Sequence, residues 1–430
     1  MRAPVSLILV LALLTAGAVY AVGYRPALAE RDASPLRFPP EQLQAGARLA
    51  TAGNCAACHS RPDGTPYAGG LPITTSFGTI YATNITPDRE AGIGAWTPEA
   101  FARALREGTA RDGTNLYPAF PYDHYTKLTD ADVGALYAYL MTRDPASDQP
   151  PRTELRFPFN VRALMGGWKL LFLDRARFET DPRKGDEWNR GAYLVQALGH
   201  CGSCHTPRNS LGAEERSRLF DGGIVAGWWA PPLNAKSPAL IPWTAESLFN
   251  YLRSWDADHG GAVGPMAEVT SSLQRLPEAD VRAIAMYLSD LMKDARDRRD
   301  DLAAIERRVL DIGGDDALRD GQAIFAGACA SCHESGGTVP FTTRTLAQHS
   351  NLHGPDPSNV ATVVLNGIMP PEGAPGGIMP GFAAVLTDAQ VEHLLAYLRR
   401  RYTDEPTWPD PRPAIQAARR RTEPRSLATR

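Results

Sequence analysis

All six cysteines of this chain fall into one repeated pattern, in which two cysteines three residues apart are followed directly by a histidine. On a helical turn, residues i and i+3 share a face, so both thiols can reach one porphyrin. The histidine that follows can present its ring nitrogen to the porphyrin iron. This is the attachment motif of a c-type haem. The three copies are Cys55-Ala-Ala-Cys58-His59, Cys201-Gly-Ser-Cys204-His205 and Cys329-Ala-Ser-Cys332-His333.

A single pair of cysteines at this spacing also occurs in zinc half-sites, redox pairs and disulfides. Three copies, each completed by a histidine, favour haem instead. We therefore predict three covalently bound haem c groups, with His59, His205 and His333 as the proximal iron ligands. Haem attachment requires reduced thiols and follows export, which predicts the periplasm or an equivalent compartment.

The distal ligand of such a haem is usually a methionine, delivered by a loop before the last helix of the domain. The neutral thioether favours ferrous iron and raises the reduction potential. Met266 lies ten residues before Leu276, and Met379 lies seven before Leu386. Both fit this position, although core packing is the alternative role for either side chain. Met369 competes with Met379 for the third iron.

The first copy departs from this pattern in the stretch LYPAFPYDHY, residues 116–125. Phe120 lies twelve residues after Gly108, as Met379 lies twelve after Gly367, so a side chain without a donor atom occupies the methionine position. His124 could bind the iron instead, which would lower the potential of this haem. Two alternatives are ligation by Met141 or Met165, and a five-coordinate iron covered by Phe120.

The elements around each motif also repeat, which predicts how the ligands are positioned. A short helical pattern precedes each motif, a loop rich in glycine and proline follows it, and a capped amphipathic helix closes each unit. The chain contains 38 Gly and 36 Pro in 430 residues, in agreement with long loops. The predicted fold is all-α, with three tandem class I cytochrome c domains. Their predicted boundaries are 38–145, 183–295 and 314–403, joined by linkers at 146–182 and 296–313.

The two ends of the chain differ from the repeated units. An apolar run covers 5–22 and is followed by Ala27-Leu28-Ala29, so residues 1–29 are either a cleaved signal peptide or a membrane anchor. Both interpretations export the rest of the chain. The arginine-rich tail, residues 404–430, is predicted to be disordered.

Composition and motifs exclude several functions. The net charge is −3 and no basic stripe with interleaved aromatic residues is present, so nucleic-acid binding is not expected. The chain has neither a G-x-G-x-x-G sequence between a strand and a helix nor a P-loop, and no nucleophile–base pair has motif support. We therefore predict an electron-transfer protein that lacks a catalytic site of its own.

With these motifs, the chain resembles the tri-haem cytochrome c subunits of membrane-associated periplasmic dehydrogenases, such as alcohol and gluconate dehydrogenases. Further support comes from Leu116-Tyr-Pro-Ala and from the stretches at 81–87 and 264–269. The alcohol dehydrogenase group typically has methionine where Phe120 stands. Phe-Pro-Tyr-Asp-His at 120–124 is more similar to the cytochrome partners of molybdenum hydroxylases, such as nicotinate, isoquinoline or aldehyde dehydrogenase.

The resemblance implies a partner and a direction of electron flow. The subunit would take electrons from a dehydrogenase catalytic subunit, with the molybdenum hydroxylases favoured. It would pass them to a quinone, a soluble cytochrome or a terminal oxidase at the periplasmic face of the inner membrane. Two alternatives stay open at this point: a peroxidase-like enzyme or sensor at an open first haem, and a cytochrome subunit of a terminal oxidase.

Overall fold

The computed structural model of the chain describes Gly17 and residues 23–334, 345–369 and 377–422. Most of the predicted signal or anchor, residues 1–16 and 18–22, therefore lies outside the described residues. Among the residues that are described, no helix has both the length and the apolar composition needed to cross a membrane.

The chain divides into two compact units. The first comprises residues 1–183, 193–201 and 210–213, and the second comprises 184–192, 202–209 and 214–430. The second motif is divided accordingly, since Cys201 belongs to the first unit and His205 to the second. The three domain boundaries given above remain a prediction.

Helices dominate the first unit and begin at the signals that the sequence carries. Thr97 accepts a hydrogen bond from the backbone N–H of Ala100, and Gly108 ends the same helix in a left-handed conformation. Thr129 caps the closing helix in the same way. The elements are α1 (Pro40–Ala52), α2 (Cys55–His59), β1 (Pro72–Thr75), β2 (Gly78–Tyr81), α3 (Pro98–Glu107), α4 (Tyr122–Tyr125), α5 (Asp130–Leu140), β3 (Glu154–Leu155) and α6 (Leu164–Phe172).

The next stretch, α7 (Asp186–Tyr193), continues into a π-helical turn at Leu194–Leu198. The second unit contains further helices and short strands. These are α8 (Gly202–His205), β4 (Gly223–Val225), β5 (Trp228–Ala230), α9 (Ala245–Arg253), β6 (Trp255–Asp256), β7 (Gly260–Gly261), α10 (Pro265–Leu273), α11 (Glu278–Met292), α12 (Arg299–Arg307), α13 (Asp316–Ala328), α14 (Ala330–His333), α15 (Ser350–His353), α16 (Ser358–Asn366), α17 (Asp388–Tyr402) and α18 (Arg412–Thr422). Single 3₁₀ turns lie at Arg216–Arg218 and Leu346–Gln348.

The prediction of a helical fold is confirmed in part, since the loops also contain small antiparallel hairpins. Strand β1 pairs with β2 from Pro72 opposite Tyr81 to Thr75 opposite Gly78, and β3 extends this sheet. Strands β4 and β5 pair in the second unit, as do β6 and β7. Helices make up 45% of the structure, so the chain is rich in helix with little strand.

A glycine lies at the same crossing of three helix pairs. In α1, a Cβ on Gly46 would overlap the carbonyl oxygen of Ala135 and lie 2.6 Å from the Cβ of Tyr139. Gly191 in α7 faces Ala283 and Tyr287 of α11 in the same way. Gly321 in α13 likewise faces His393 and Tyr397 of α17. Each opening helix therefore approaches its closing helix so closely that only glycine fits at the crossing.

The arginine-rich tail is ordered where the structure describes it, so the prediction of disorder is wrong for residues 412–422. Ile415 and Ala418 of α18 are fully buried in the core of the second unit. Arg419 donates to the carbonyl of Ala383 at 2.7 Å and pairs with Asp388. These contacts with an apolar face and a carboxylate explain the order. Residues 423–430 lie outside the described part.

Candidate haem sites

Each cysteine motif forms the helical turn that haem attachment requires. Cys55 and Cys58 lie on α2, Cys204 lies on α8, and Cys332 lies on α14. No disulfide joins any of the six cysteines. Burial and the neighbouring Cys58 raise the pKa of Cys55 to about 12, so the surroundings of this sulfur favour an uncharged form. A neutral thioether suits this environment, so the motif fits a covalently attached porphyrin.

Two of the predicted proximal histidines are held in an orientation that suits an iron ligand. Nδ1 of His59 lies 2.7 Å from the carbonyl oxygen of Thr83, and Nδ1 of His205 lies 2.7 Å from that of Pro231. When Nδ1 donates to a carbonyl, Nε2 carries the lone pair and can bind a metal. Burial lowers the pKa of both rings, which favours this neutral form.

The hairpins supply these carbonyl groups. Thr83 follows β2 by two residues, and Pro231 directly follows β5. The backbone N–H of Gly69 donates to the carbonyl of His59 at 2.7 Å, and the N–H of Gly222 donates to that of His205 at 2.8 Å. Both glycines have left-handed φ values, +74° and +84°. The first two sites are therefore built alike, although the glycine follows the histidine by different numbers of residues.

The third site is described only in part, because residues 335–344 lie outside the described ranges. Burial lowers the pKa of His333, as at the other two sites. His349, which the sequence pattern did not single out, lies close enough to His333 and His353 for their charges to affect it. Burial and these charges lower the pKa of His349 to about 4. A neutral, half-buried imidazole therefore lies near His333, the predicted third proximal ligand.

The two predicted distal methionines occupy loops with defined backbone structure. Met266 is the second residue of α10 and is half-buried. It follows Gly264, whose φ is +58° and whose Cα faces the ring of Trp228. Met379 is also half-buried, and its backbone forms a bridge with Ile368 through hydrogen bonds of 2.8 and 3.0 Å. Met369 is 74% exposed, so burial favours Met379 as the ligand.

In the first distal loop, Phe120 packs against an aromatic ring, whereas His124 contacts a backbone carbonyl. Phe120 is half-buried, and its ring centroid lies 5.4 Å from that of Tyr125. Burial raises the pKa of Tyr125, and the charges of the nearby Cys55 and Cys58 raise it further. Tyr125 thus lies within electrostatic range of the first attachment motif. His124 is buried, and its Nδ1 lies 2.8 Å from the carbonyl oxygen of Gln196.

The backbone register of this loop differs from the register that counting residues predicts. Asn115 forms the bridge opposite Thr109, whereas Met379 forms the bridge opposite Ile368. In the structure, Asn115 and not Phe120 is therefore the counterpart of Met379 in the bridge. The first loop then continues into α4, a turn of helix that has no counterpart between Met379 and α17. Met165, one of the alternative ligands, packs in an apolar cluster with Tyr122 and Trp168.

A buried lysine holds the base of the same loop. Nζ of Lys169 donates to the carbonyl of Gly108 at 2.6 Å, to Oδ1 of Asn115 at 2.7 Å and to Oγ1 of Thr109 at 3.1 Å. All three acceptors are uncharged, so burial of the ammonium group is not offset by a carboxylate among them. Burial lowers the pKa of Lys169 to about 7.

This lysine predicts a pH dependence of stability. Between pH 7 and the ordinary lysine pKa of about 10.4, the unfolded chain binds more protons than the folded one, so stability rises with pH. We expect Lys169→Met to remove that rise. The free energy of unfolding, measured in urea from pH 7 to pH 10, checks this result. The exposed Lys293→Met is the control and should keep the rise; the same slope in both variants would contradict the prediction.

Comparisons with known proteins identify the family of the chain. The family model described as Cytochrome c matches residues 43–144, and the model described as Cytochrome C oxidase, cbb3-type, subunit III matches 316–398. A nicotinate dehydrogenase subunit of Pseudomonas putida is 47% identical over 371 residues, which are 85% of this chain and 31% of that protein. The chain thus spans about a third of the length of this relative.

Two further relatives are covered over most of their length. The fructose dehydrogenase cytochrome subunit of Gluconobacter japonicus is 38% identical, over 83% of this chain and 78% of that protein. The gluconate 2-dehydrogenase cytochrome c subunit of Pantoea cypripedii is 36% identical, over 83% and 85%. The chain therefore belongs to the family of cytochrome c subunits of dehydrogenases, and it is an electron-transfer subunit and not the catalytic one.

Proposed function

We propose that this chain binds three haem c groups and carries electrons from a periplasmic dehydrogenase of the molybdenum hydroxylase class to the respiratory chain. The acceptor would be a quinone, a soluble cytochrome or an oxidase. The observation that carries the proposal is the pair of proximal histidines, each held by a backbone carbonyl with Nε2 left for iron. The 47% identity to a nicotinate dehydrogenase subunit supports the choice of partner class.

The residues of the chain would set how each haem works. A bound haem iron supplies one-electron chemistry by changing between the ferrous and ferric states. Met266 and Met379 would favour the ferrous state of the second and third irons, because a thioether is neutral and soft. The three glycine crossings, at Gly46, Gly191 and Gly321, support one cytochrome domain around each motif.

For the first iron we propose His124 as the sixth ligand. Its Nδ1 contacts a backbone carbonyl, as in His59 and His205. This contact favours the tautomer that has its proton on Nδ1 and its lone pair on Nε2. Phe120 has no donor atom with which to compete. Imidazole stabilises ferric iron more than a thioether does, so the first haem should have the lowest potential of the three.

Substitution of this histidine gives a direct test. We expect His124→Ala to convert one low-spin ferric signal to high spin in the EPR spectrum and to raise the potential of one haem. The other two low-spin signals should stay unchanged. His353→Ala, which removes a buried histidine near the third site, serves as the control for nonspecific damage. An unchanged set of three low-spin signals in His124→Ala would exclude this residue as a ligand.

The N-terminal segment supports an uncleaved anchor. Residues 23–29, which cleavage after Ala29 would remove, are built into the first unit. Asn115 donates to the carbonyl of Gly23 at 2.9 Å, and the backbone N–H of Leu28 donates to the carbonyl of Arg111 at 2.8 Å. Arg103 donates to the carbonyl of Pro26 at 2.8 Å. Removal of residues 23–29 would therefore take these hydrogen bonds away from Asn115, Arg103 and the Arg111 carbonyl.

We therefore expect the mature protein to begin upstream of Gly23 and to fractionate with membranes. N-terminal sequencing and intact mass measurement of the protein from its native host check this expectation. A mature chain that begins at Glu30 would establish a cleaved signal instead.

Three exposed apolar side chains lie near the anchor: Phe157 precedes α6, and Leu170 and Leu171 lie on it. Gly23 packs against Ala163, the residue before α6. These apolar side chains would support attachment at the membrane surface.

Isolation of the native complex tests the function as a whole. We expect the chain to purify with a molybdenum-containing catalytic subunit, and the substrate of that subunit to reduce all three haems in the absence of oxygen. Purification with a haem-copper oxidase and without a dehydrogenase would contradict the proposal. Rapid carbon monoxide binding at one haem, together with peroxide turnover by the isolated chain, would favour a haem enzyme.

A further inference from the structure

Two aromatic side chains connect the first attachment motif with the first cysteine of the second motif. Tyr125 lies within electrostatic range of Cys55 and Cys58. Its ring centroid lies 5.8 Å from that of His200, with the rings at 75° to each other. This is the edge-to-face arrangement that aromatic pairs prefer. His200 is bonded directly to Cys201.

The backbone of His200 has an uncommon conformation at the position from which the ring reaches Tyr125. Its φ is +38°, in the left-handed region that side chains other than Asn, Asp and His rarely adopt. Asn54, the residue before Cys55, has a similar conformation, with φ +50°. The first motif thus has asparagine at this strained position, and the second has an aromatic ring that reaches Tyr125. Strained positions of this kind concentrate at functional sites.

The segment that carries His200 is also fixed against the first distal loop. It follows the π-helical turn at Leu194–Leu198, a local distortion that is common at functional sites. Nδ1 of His124 contacts the carbonyl of Gln196 in this turn, and the N–H of Cys201 donates to the carbonyl of Val195 at 3.1 Å. The hydrogen bonds of His124 and of Cys201 to the π-helical turn therefore hold the segments that carry the Tyr125 and His200 rings.

We propose that Tyr125 and His200 form the electron-transfer path between the first and second haems. Electron tunnelling weakens steeply with distance, and less steeply through packed atoms than across a gap. One electron would leave the iron held at the first motif, which would change from ferrous to ferric, and would enter the iron held at the second motif, which would change from ferric to ferrous. No bond or proton changes, and neither ring is oxidised. This inference rests on the proposed function, since it requires haems at both motifs.

The test is the rate at which an electron redistributes among the haems after flash photoreduction of the full-length protein. His200→Asn keeps a residue that tolerates the left-handed backbone, as Asn54 does in the first motif, and removes the ring. Tyr125→Leu removes the other ring, whereas Tyr125→Phe keeps it. We expect a several-fold slower redistribution in His200→Asn and Tyr125→Leu, and a nearly unchanged rate in Tyr125→Phe.

Haem content by mass spectrometry and the three reduction potentials are measured on each variant. Unchanged rates in His200→Asn and Tyr125→Leu, with three haems and unchanged potentials, would overturn the path. A slower rate accompanied by shifted potentials would also count against it, because a change in driving force would then explain the effect. Fewer than three haems in the wild-type chain would contradict the proposed function itself.

Discussion

A chain with Cys201→Ala and Cys204→Ala should carry one haem fewer than the wild-type chain and should lose electron transfer between its ends. Two thioether bonds would be the only covalent attachment that the second motif offers, since it contains no further cysteine. His205 alone would have to retain the porphyrin by coordination. Intact mass and the haem absorbance per polypeptide measure the loss of attachment. Reduction of the remaining haems by substrate, in the complex with the proposed dehydrogenase partner, measures the loss of transfer.

Ser203→Ala is the matched control within the same turn. The Ser203 hydroxyl is buried, and no hydrogen-bond partner is found for it among the described residues. Its removal should therefore leave haem content and electron transfer unchanged. Three covalent haems in the double cysteine variant would show that attachment does not depend on this motif.

Replacement of Gly46 by alanine should destabilise the first unit strongly. The new Cβ would overlap the carbonyl of Ala135 and approach the Cβ of Tyr139, so α1 and α5 would have to separate. Overpacking of this kind costs roughly 1–3 kcal/mol or more. The hydroxyl of Tyr139 lies 3.4 Å from that of Tyr67, and Tyr67 lies near Cys55. A shift of α5 should therefore also broaden the absorption and EPR signals of the first haem.

Replacement of Gly134 on α5 should change the stability of the same helix pair in the opposite direction. A Cβ there meets only the amide of Gln42, at 3.7 Å. Gly134→Ala should therefore stabilise the unit by about 0.5–1 kcal/mol, because alanine loses less conformational freedom in a helix. Urea unfolding followed by circular dichroism measures both variants. Equal stability changes in the two would show that close packing at Gly46 does not limit the crossing.

The chemistry of the sites could be predicted from the sequence because haem attachment depends on local spacing. Cys55, Cys58 and His59 lie within one helical turn, so their positions in the chain determine their relative geometry. Repetition of the pattern three times then indicated repeated units, and the relatives confirm the family. The identities of the distal ligands stay predictions, because a distal ligand comes from a loop whose path is not fixed by local spacing.

Other features could not be predicted because they depend on contacts between distant residues. The stretch at 81–87 marked the family resemblance, but nothing in it revealed that the Thr83 carbonyl orients His59. The tail appeared disordered from its arginines, yet the burial of Ile415 and Ala418 orders it. The count from Gly108 to Phe120 matched the count from Gly367 to Met379, but the backbone bridges place Asn115 opposite Thr109.

The sequence by itself thus determined which atoms can hold haem and how often the attachment motif repeats, because covalent attachment needs neighbours within one helical turn. Only the tertiary structure decided how the ligands are held and what connects the motifs. His59 and Thr83 are 24 residues apart, and His124 and Gln196 are 72 apart. The edge-to-face contact of Tyr125 with His200 belongs to the same class. Such contacts form only when packing brings separate segments together, and no local pattern in LYPAFPYDHY encodes them.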